Sequence, residues 1–303
     1  MAISTTKMLA TLLLFFISII SHAQQQLVNI NGTNFNVYVH GIEDRKPNSP
    51  VVIFENGMGV DLSNWNKVIH QIEEFVPVFA YDRAGIGKSD KDFIMPTIDK
   101  VATNLHEILN KLNIPPPYIL VGHSLGGVYI RSFAGYYPDE IAGLVFVDPA
   151  DFTETKKDWN DIFRVMNLPE KKIDEMLQNR LYQPNPPIDS LRFGAMSERL
   201  ILNNLRKTDF AEITSMPLPN VPIYFFVGGK FEVPLAQRSK DFDQEAFFHI
   251  KNNSNMERWK KLIYASSKGG AIIYLTNAGH YIQNDEPKLM IGIIKNLVES
   301  LKE

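Results

Sequence analysis

A single pentapeptide, Gly122-His123-Ser124-Leu125-Gly126, restricts the folds open to this chain more than any other feature. It directly follows the apolar run Tyr118-Ile119-Leu120-Val121 and directly precedes Gly127 and the apolar Val128-Tyr129-Ile130. Strand, sharp turn and helix in that order are the setting a G-x-S-x-G nucleophile elbow requires. The serine in such a turn is lifted off the end of a sheet. The flanking glycines let strand and helix approach closely. The pentapeptide alone is a weak signal, and its flanks carry the weight.

The rest of the chain supplies the sheet that such a turn needs. Val51–Phe54, Val76–Tyr81, Tyr118–Val121, Gly143–Val147, Ile223–Val227 and Ala271–Leu275 are near-continuous apolar runs. Runs of that kind mark strands buried on both faces. Before them, Gln26–Ile30 and Phe35–His40 flank Asn31-Gly32-Thr33 and read as a hairpin. Helical spacing lies between the runs: Val101, Leu105, Ile108, Leu109 and Leu112, then Val128 to Tyr136, then Ile291, Ile294, Leu297 and Leu301. Strands alternating with helices predict an α/β fold with a mostly parallel central sheet flanked by helices.

Residues 152–220 break the alternation and are longer than a crossover needs. Pro169 suits a first helical position, with Ile173, Met176, Leu177 and Leu181 as a stripe after it. Met196, Leu200, Ile201 and Leu205 make a second stripe. The segment is predicted to be a helical cap inserted after the sixth strand, over the carboxyl ends of the strands. Met176 and Met196 are more readily core than adaptable pocket walls.

Residues 1–23 read as a signal peptide. Lys7 gives a positive start, Met8–Ile20 is mostly apolar, and Ser21-His22-Ala23 is a small-x-small site with cleavage expected after Ala23. The run is short of the about 20 apolar residues a membrane span needs. The expectation is a secreted or periplasmic protein, with residues 24–303 forming one domain. Of the 303 residues, 31 are Lys or Arg and 34 Asp or Glu, for a net charge of −3. That balance gives no electrostatic case for a nucleic-acid partner. There is no cysteine, so the core alone must stabilise an exported chain.

Acyl transfer through a serine needs a base, a carboxylate behind it, and N–H donors for the oxyanion. His280, in Asn277-Ala278-Gly279-His280-Tyr281, follows the last apolar run and precedes the last helix. It is the candidate base. His40, His70, His106, His123 and His249 lie in the hairpin, the first helix, a helical stripe, the elbow itself and a polar connection. Two carboxylates compete as the acid. Asp148 ends the run Gly143–Val147, and Glu232 follows Ile223–Val227. Both give the chain order Ser, acid, His. Asp148 is favoured as the shorter side chain, anchored between strand and Pro149. The oxyanion donors are expected to be the N–H groups of Leu125, after the nucleophile, and Met58, in Glu55-Asn56-Gly57-Met58-Gly59 after the first buried strand.

Together these motifs resemble the α/β-hydrolase superfamily in its capped, lipase- and esterase-like branch. Asn56-Gly57-Met58-Gly59 is similar to the oxyanion loop, with Asn56 where the family usually has His. Tyr81-Asp82-Arg83-Ala84-Gly85-Ile86-Gly87-Lys88-Ser89 resembles the D-x-x-G-x-G-x-S turn. Gly279-His280 with Asp285-Glu286-Pro287 resembles the His loop and the helix after it. In the family the acid commonly lies three residues after a glycine that follows the Ile223–Val227 strand; from Gly229 that is Glu232, from Gly228 it is Phe231. The resemblance implies a serine hydrolase that cleaves a carboxylic ester or related acyl bond of a small molecule, with no cofactor, and the leader makes it an exported one. An aminopeptidase-like amide hydrolase and a non-catalytic ligand-binding protein on the same scaffold are the alternatives.

Other leads fail on spacing. Gly85-Ile86-Gly87-Lys88-Ser89 is no phosphate loop, because position 82 is Asp where that motif needs Gly. His106-Glu107 starts no zinc motif, since Asn110 stands in the place of the second His. No His and Cys cluster suggests a metal site. The oligomeric state is not legible.

Overall fold

The computed structural model describes residues 24–181 and 190–301. The signal-peptide segment expected at 1–23 lies outside the described residues. Eight strands form one sheet: β1 Gln24–Ile30, β2 Thr33–His40, β3 Val51–Glu55, β4 Val78–Tyr81, β5 Tyr118–His123, β6 Ile141–Val147, β7 Ile223–Gly228 and β8 Gly270–Leu275. Their spatial order is β1-β2-β4-β3-β5-β6-β7-β8. β1 and β2 form the antiparallel hairpin, and β2 also runs antiparallel to β4. All pairings from β4 through β3 to β8 are parallel.

The helices are α1 Ile69–Ile72, α2 Ile98–Lys111, α3 Leu125–Tyr136, α4 Lys156–Val165, α5 Glu170–Leu181, α6 Phe193–Lys207, α7 Ala211–Ser215, α8 Gln244–Ala265, α9 Ile282–Asp285 and α10 Pro287–Ser300. They cover both faces of the sheet, which is why the central strands carry no polar face. Along β3, Val51 and Ile53 enter one core while Val52 and Phe54 enter the other. β5 divides in the same way, Tyr118 and Leu120 against Ile119 and Val121. One core is closed by α2 and α3, and by Trp259 and Ile263 of α8. The opposite core is closed by Trp65, by Ile69 and Ile72 of α1, and by Met290, Ile294 and Leu297 of α10.

Helix boundaries follow local chemistry. Thr97 caps α2 by accepting the Lys100 N–H through its hydroxyl. α4 opens with a capping box between Thr155 and Asp158. Pro169 precedes α5, and its carbonyl accepts the N–H groups of Lys172 and Ile173.

Among the described residues, four helices, α4 to α7, occupy the long segment between β6 and β7. Ile173 of α5 is fully buried against Trp159 and Phe163 of α4, with Met176 at the edge of that cluster. α6 sits on the loops that leave the carboxyl ends of β3 and β4. A Cβ on Gly59 would stand 3.0 Å from Ala195 Cβ, and one on Gly85 would stand 3.2 Å from the Gly194 backbone. One element departs from the sequence reading. His249 lies within the 22-residue α8, not in a polar connection. Its few buried side chains, Asn255, Trp259 and Ile263, are too sparse and too mixed in polarity to mark a helix by apolar spacing.

Candidate active site

Ser124 joins β5 to α3 at φ 53° and ψ −119°, a conformation L-residues seldom adopt. The turn is held from both sides. The Ser124 N–H donates to the Val147 carbonyl at 3.0 Å, and the Ser124 carbonyl accepts from Gly127 and Ala150 N–H at 2.9 Å each. Close approach explains the glycines. A Cβ on Gly122 would lie 2.5 Å from the Gly126 carbonyl oxygen, and one on Gly126 would run into the Glu55 carbonyl.

The loop after β3 rests against this turn. A Cβ on Gly57 would meet His123 Nδ1 at 2.9 Å and Ser124 Cβ at 3.4 Å. Met58 is therefore the next residue along a segment in contact with the elbow. Leu125 is the first residue of α3, so its N–H has no intrahelical acceptor. Both sequence-predicted oxyanion amides thus belong to backbone beside Ser124.

β6 and the His loop deliver two further groups. Asp148 follows β6 at φ 42°. Its N–H donates to the Phe226 carbonyl at 2.8 Å, and its Oδ1 accepts the Gly228 N–H at 2.9 Å. The remaining oxygen, Oδ2, accepts from His280 Nδ1 at 2.6 Å. The His280 loop is fastened at Gly279, whose N–H donates to Asp285 Oδ2 at 2.8 Å. Glu232 takes a different partner. Its half-exposed carboxylate pairs with Lys230 Nζ at 3.1 Å and lies against Gly279. A cleft of about 340 Å³ opens here, lined by Asp148, Phe231, Glu232, Phe248 and His280 among others.

Two groups of residues at the site were not singled out for a role by sequence reasoning. His123 is 1% exposed, and its Nε2–H donates to the His280 carbonyl at 2.9 Å. The two rings pack with centroids 4.7 Å apart. Burial, with the neighbouring His280 adding to it, pushes the His123 imidazole down to about 3, so the ring stays neutral. The second group is a buried ionic cluster of Glu55, Arg83 and Glu198. Burial pushes the Glu55 carboxyl above its ordinary range, against the pull of Arg83. The only sequence signal for Glu55 and Arg83 was their place inside the two loop motifs, and Glu198 had none.

Asp82, by contrast, ties down its own turn. It accepts from Asn36 Nδ2 at 2.7 Å, Leu62 N–H at 2.7 Å and Lys88 N–H at 3.0 Å. Ser89 closes the turn by donating to the Asp82 carbonyl at 2.7 Å. The D-x-x-G-x-G-x-S stretch is thus a structural corner, apart from Arg83. Among the described residues, no group of three or more His, Cys, Asp or Glu side chains is arranged to hold a metal ion.

A mostly parallel sheet with a strained serine between strand and helix, and an Asp–His pair from two later loops, defines the class of α/β proteins that carry a nucleophile elbow. The family model described as the alpha/beta hydrolase fold matches residues 50–212, more than half of the chain, and the protein belongs to that family as an alpha/beta hydrolase. Among curated relatives, YqjL of Bacillus subtilis is 30% identical over 170 residues, which cover 52% of this chain and 67% of YqjL. An AB hydrolase superfamily protein of Gibberella zeae is 28% identical over 138 residues, 43% of each chain, so the match spans less than half of that relative. Solved structures of the same fold include a thermophilic esterase from Thermogutta terrifontis. It has a TM-score of 0.59 and 17% identity, with 92% of this chain and 99% of that one covered. The carboxylesterase CesB of Bacillus subtilis has a TM-score of 0.54 and 15% identity, over 91% and 92% of the two chains.

Proposed function

We propose that the protein is an exported serine hydrolase that cleaves a carboxylic ester or related acyl bond of a small molecule through an acyl-enzyme on Ser124. The observation that carries this reading is the 2.6 Å contact between Asp148 and His280 beside the strained Ser124 turn. With Nδ1 engaged by Asp148, the free Nε2 of His280 is the nitrogen that takes the Ser124 proton as the hydroxyl attacks the carbonyl. The imidazolium formed is stabilised by the carboxylate. The Met58 and Leu125 amides receive the oxyanion of the tetrahedral intermediate. His280 returns its proton to the leaving oxygen, and the same base then activates a water that clears the acyl group. Neither the metal nor the nucleotide chemistry of other α/β folds is needed for any step.

The test combines a covalent probe with substrates. A fluorophosphonate is expected to label the wild type and not Ser124→Ala. Short-chain p-nitrophenyl esters are expected to turn over faster than aminoacyl anilides. The reverse preference would make the protein an amide hydrolase, and a folded wild type that takes no label would make it a ligand-binding protein. Export is tested separately. Mass spectrometry of the protein expressed with its leader is expected to find a mature chain starting at Gln24.

A further inference from the structure

Arg83 is 4% exposed, yet no contact of its guanidinium serves its own turn. Nη1 donates to the Asn56 carbonyl at 2.8 Å and to Glu55, Nη2 to the Gly57 carbonyl at 2.7 Å, and Nε to Glu198 Oε1 at 2.6 Å. The face of the Tyr129 ring lies 4.9 Å from its central carbon. Glu198, on cap helix α6, completes the circuit, because its Oε2 accepts the Gly59 N–H at 2.7 Å. One cation and one cap carboxylate therefore grip the backbone of the loop from Asn56 to Gly59 at three points.

The grip has a directional consequence. A trans peptide is planar, and its C=O and N–H point in opposite directions. The carbonyl of Gly57 and the N–H of Met58 belong to the same peptide. With the carbonyl fixed on Arg83, the Met58 N–H must point away from Arg83. The Asn56 carbonyl fixes the preceding peptide in the same way, which leaves the Gly57 Cα 's open side against His123 and Ser124. A guanidinium suits this task because its planar fork serves two carbonyls and two carboxylates together, whereas an ammonium is a point charge.

We infer that Arg83, clamped by Glu198 of the cap, is the positioning residue that aims the Met58 oxyanion donor, so that the donor is set only while α6 is seated. This rests on the serine-hydrolase reading of Ser124. The buried setting supports it. Tyr81 donates to Glu55 Oε2 at 2.7 Å, so the carboxylate beside Arg83 is itself fixed, and the Asn56 and Gly57 peptides that Arg83 holds are buried. A donor aimed this way acts on the tetrahedral state and leaves ground-state binding largely alone.

The experiment uses the whole chain in three forms: wild type, Arg83→Lys and Glu198→Gln. Fluorophosphonate labelling of the wild type reports first on the hydrolase reading. Then kcat and KM are measured on a p-nitrophenyl ester, together with Ki for a trifluoromethyl ketone, whose serine adduct carries an oxyanion. Arg83→Lys is expected to lower kcat by about tenfold or more, with KM changed by less than about threefold and ketone affinity falling in parallel with kcat/KM. Glu198→Gln, which keeps an acceptor for Gly59 but loses the charge on Arg83, is expected to follow the same pattern more weakly, and it carries the test if Arg83→Lys does not fold. Folded variants with wild-type kcat and ketone affinity would overturn the inference. So would a fall in kcat with ketone affinity unchanged. A wild type that takes no label would remove the hydrolase reading itself, a failure distinct from that of Arg83 alone.

Discussion

His123 donates from Nε2 to the main-chain carbonyl of His280 across 2.9 Å. The residue before Ser124 therefore holds the loop that carries His280. The same ring is approached on its other side by Asn64 Nδ2, 3.5 Å from Nδ1, and Asn64 Oδ1 accepts from Gln283 Nε2 at 2.8 Å. A polar chain thus runs beneath the site from the loop after β3 to α9 and back to the elbow. Only a neutral His123 with its proton on Nε2 can both donate to His280 and accept from Asn64.

That neutrality makes a pH prediction. The folded pKa, pushed down to about 3, lies below the value near 6.5 of an unfolded histidine. The unfolded chain binds more protons between these limits, so this group's stability contribution is complete above pH ~6.5 and is lost as pH falls toward about 3. The slope from one such proton is about 1.4 kcal/mol per pH unit. Urea denaturation between pH ~4.5 and about 5.5, where the unfolded histidine is protonated, is expected to show that slope in the wild type. His123→Gln, which keeps a donor for His280 without a titrating ring, should lack it. Equal slopes in the two proteins would mean that His123 does not titrate as its burial demands.

Asp148→Asn tests the other side of His280. Asp148 Oδ1 is already committed to the Gly228 N–H. In the asparagine the oxygen keeps that bond and the NH2 group faces His280 Nδ1. Nδ1 must then accept, the ring proton moves to Nε2, and the base can no longer take the serine proton. A fall in kcat by about a thousandfold or more is expected, with little change in KM. Glu232→Gln, whose native partner is Lys230, is expected to stay within a few-fold of wild type. Steady-state kinetics on one ester would decide between them, and the opposite ranking would transfer the acid's role to Glu232.

The parts of the molecule that were legible in sequence are those set by local constraint. The elbow needs its glycines in one order, and β3, β5 and β6 are continuous apolar runs because both of their faces are covered. The cap's stripes were readable because α5 and α6 each bury one side. α8 was missed because its buried positions, Asn255, Trp259 and Ile263, are few for 22 residues and include a polar one. Trp259 stacks on Phe225 with centroids 4.9 Å apart and donates to Asp151 Oδ1 at 3.2 Å, while most of the other positions are half-buried and polar residues are spread among them. Between Asp148 and Glu232 the sequence favoured Asp148 only by its shorter side chain and its place between strand and Pro149. Both follow parallel strands at the same sheet edge, and only the three-dimensional path of the His loop brings one of them to Nδ1. Glu198 could not be found at all, since its partner Arg83 is 115 positions away.

Asp82 offers a contrast between holding the fold and doing chemistry. It is 1% exposed and takes three hydrogen bonds from three separate segments. Asp82→Ala leaves those donors without their acceptor in a buried corner, at a cost of about 3 kcal/mol. Chemical denaturation should show that loss, whereas kcat per fluorophosphonate-titrated site is expected to remain within a few-fold of wild type. A collapse of kcat in fully folded protein would give this turn a role in the reaction.

Gly57→Ala probes the spacing between the loop after β3 and the Ser124 turn, on which the proposed oxyanion site depends. The added methyl would stand 2.9 Å from His123 Nδ1 and 3.4 Å from Ser124 Cβ. Neither neighbour can yield freely. His123 is held at Nε2 by His280, and Ser124 is held by Val147, Gly127 and Ala150. The loop must move instead, and the Met58 amide moves with it. A shift of a few tenths of an ångström in a preorganised donor weakens transition-state stabilisation more than substrate binding. The expected result is a loss of about tenfold to a hundredfold in kcat, a smaller change in KM, and a midpoint of thermal unfolding lowered by several degrees. A fully active Gly57→Ala enzyme would mean that the loop accommodates the methyl group without displacing its donor, and that the contact with the elbow does not set the geometry of the site.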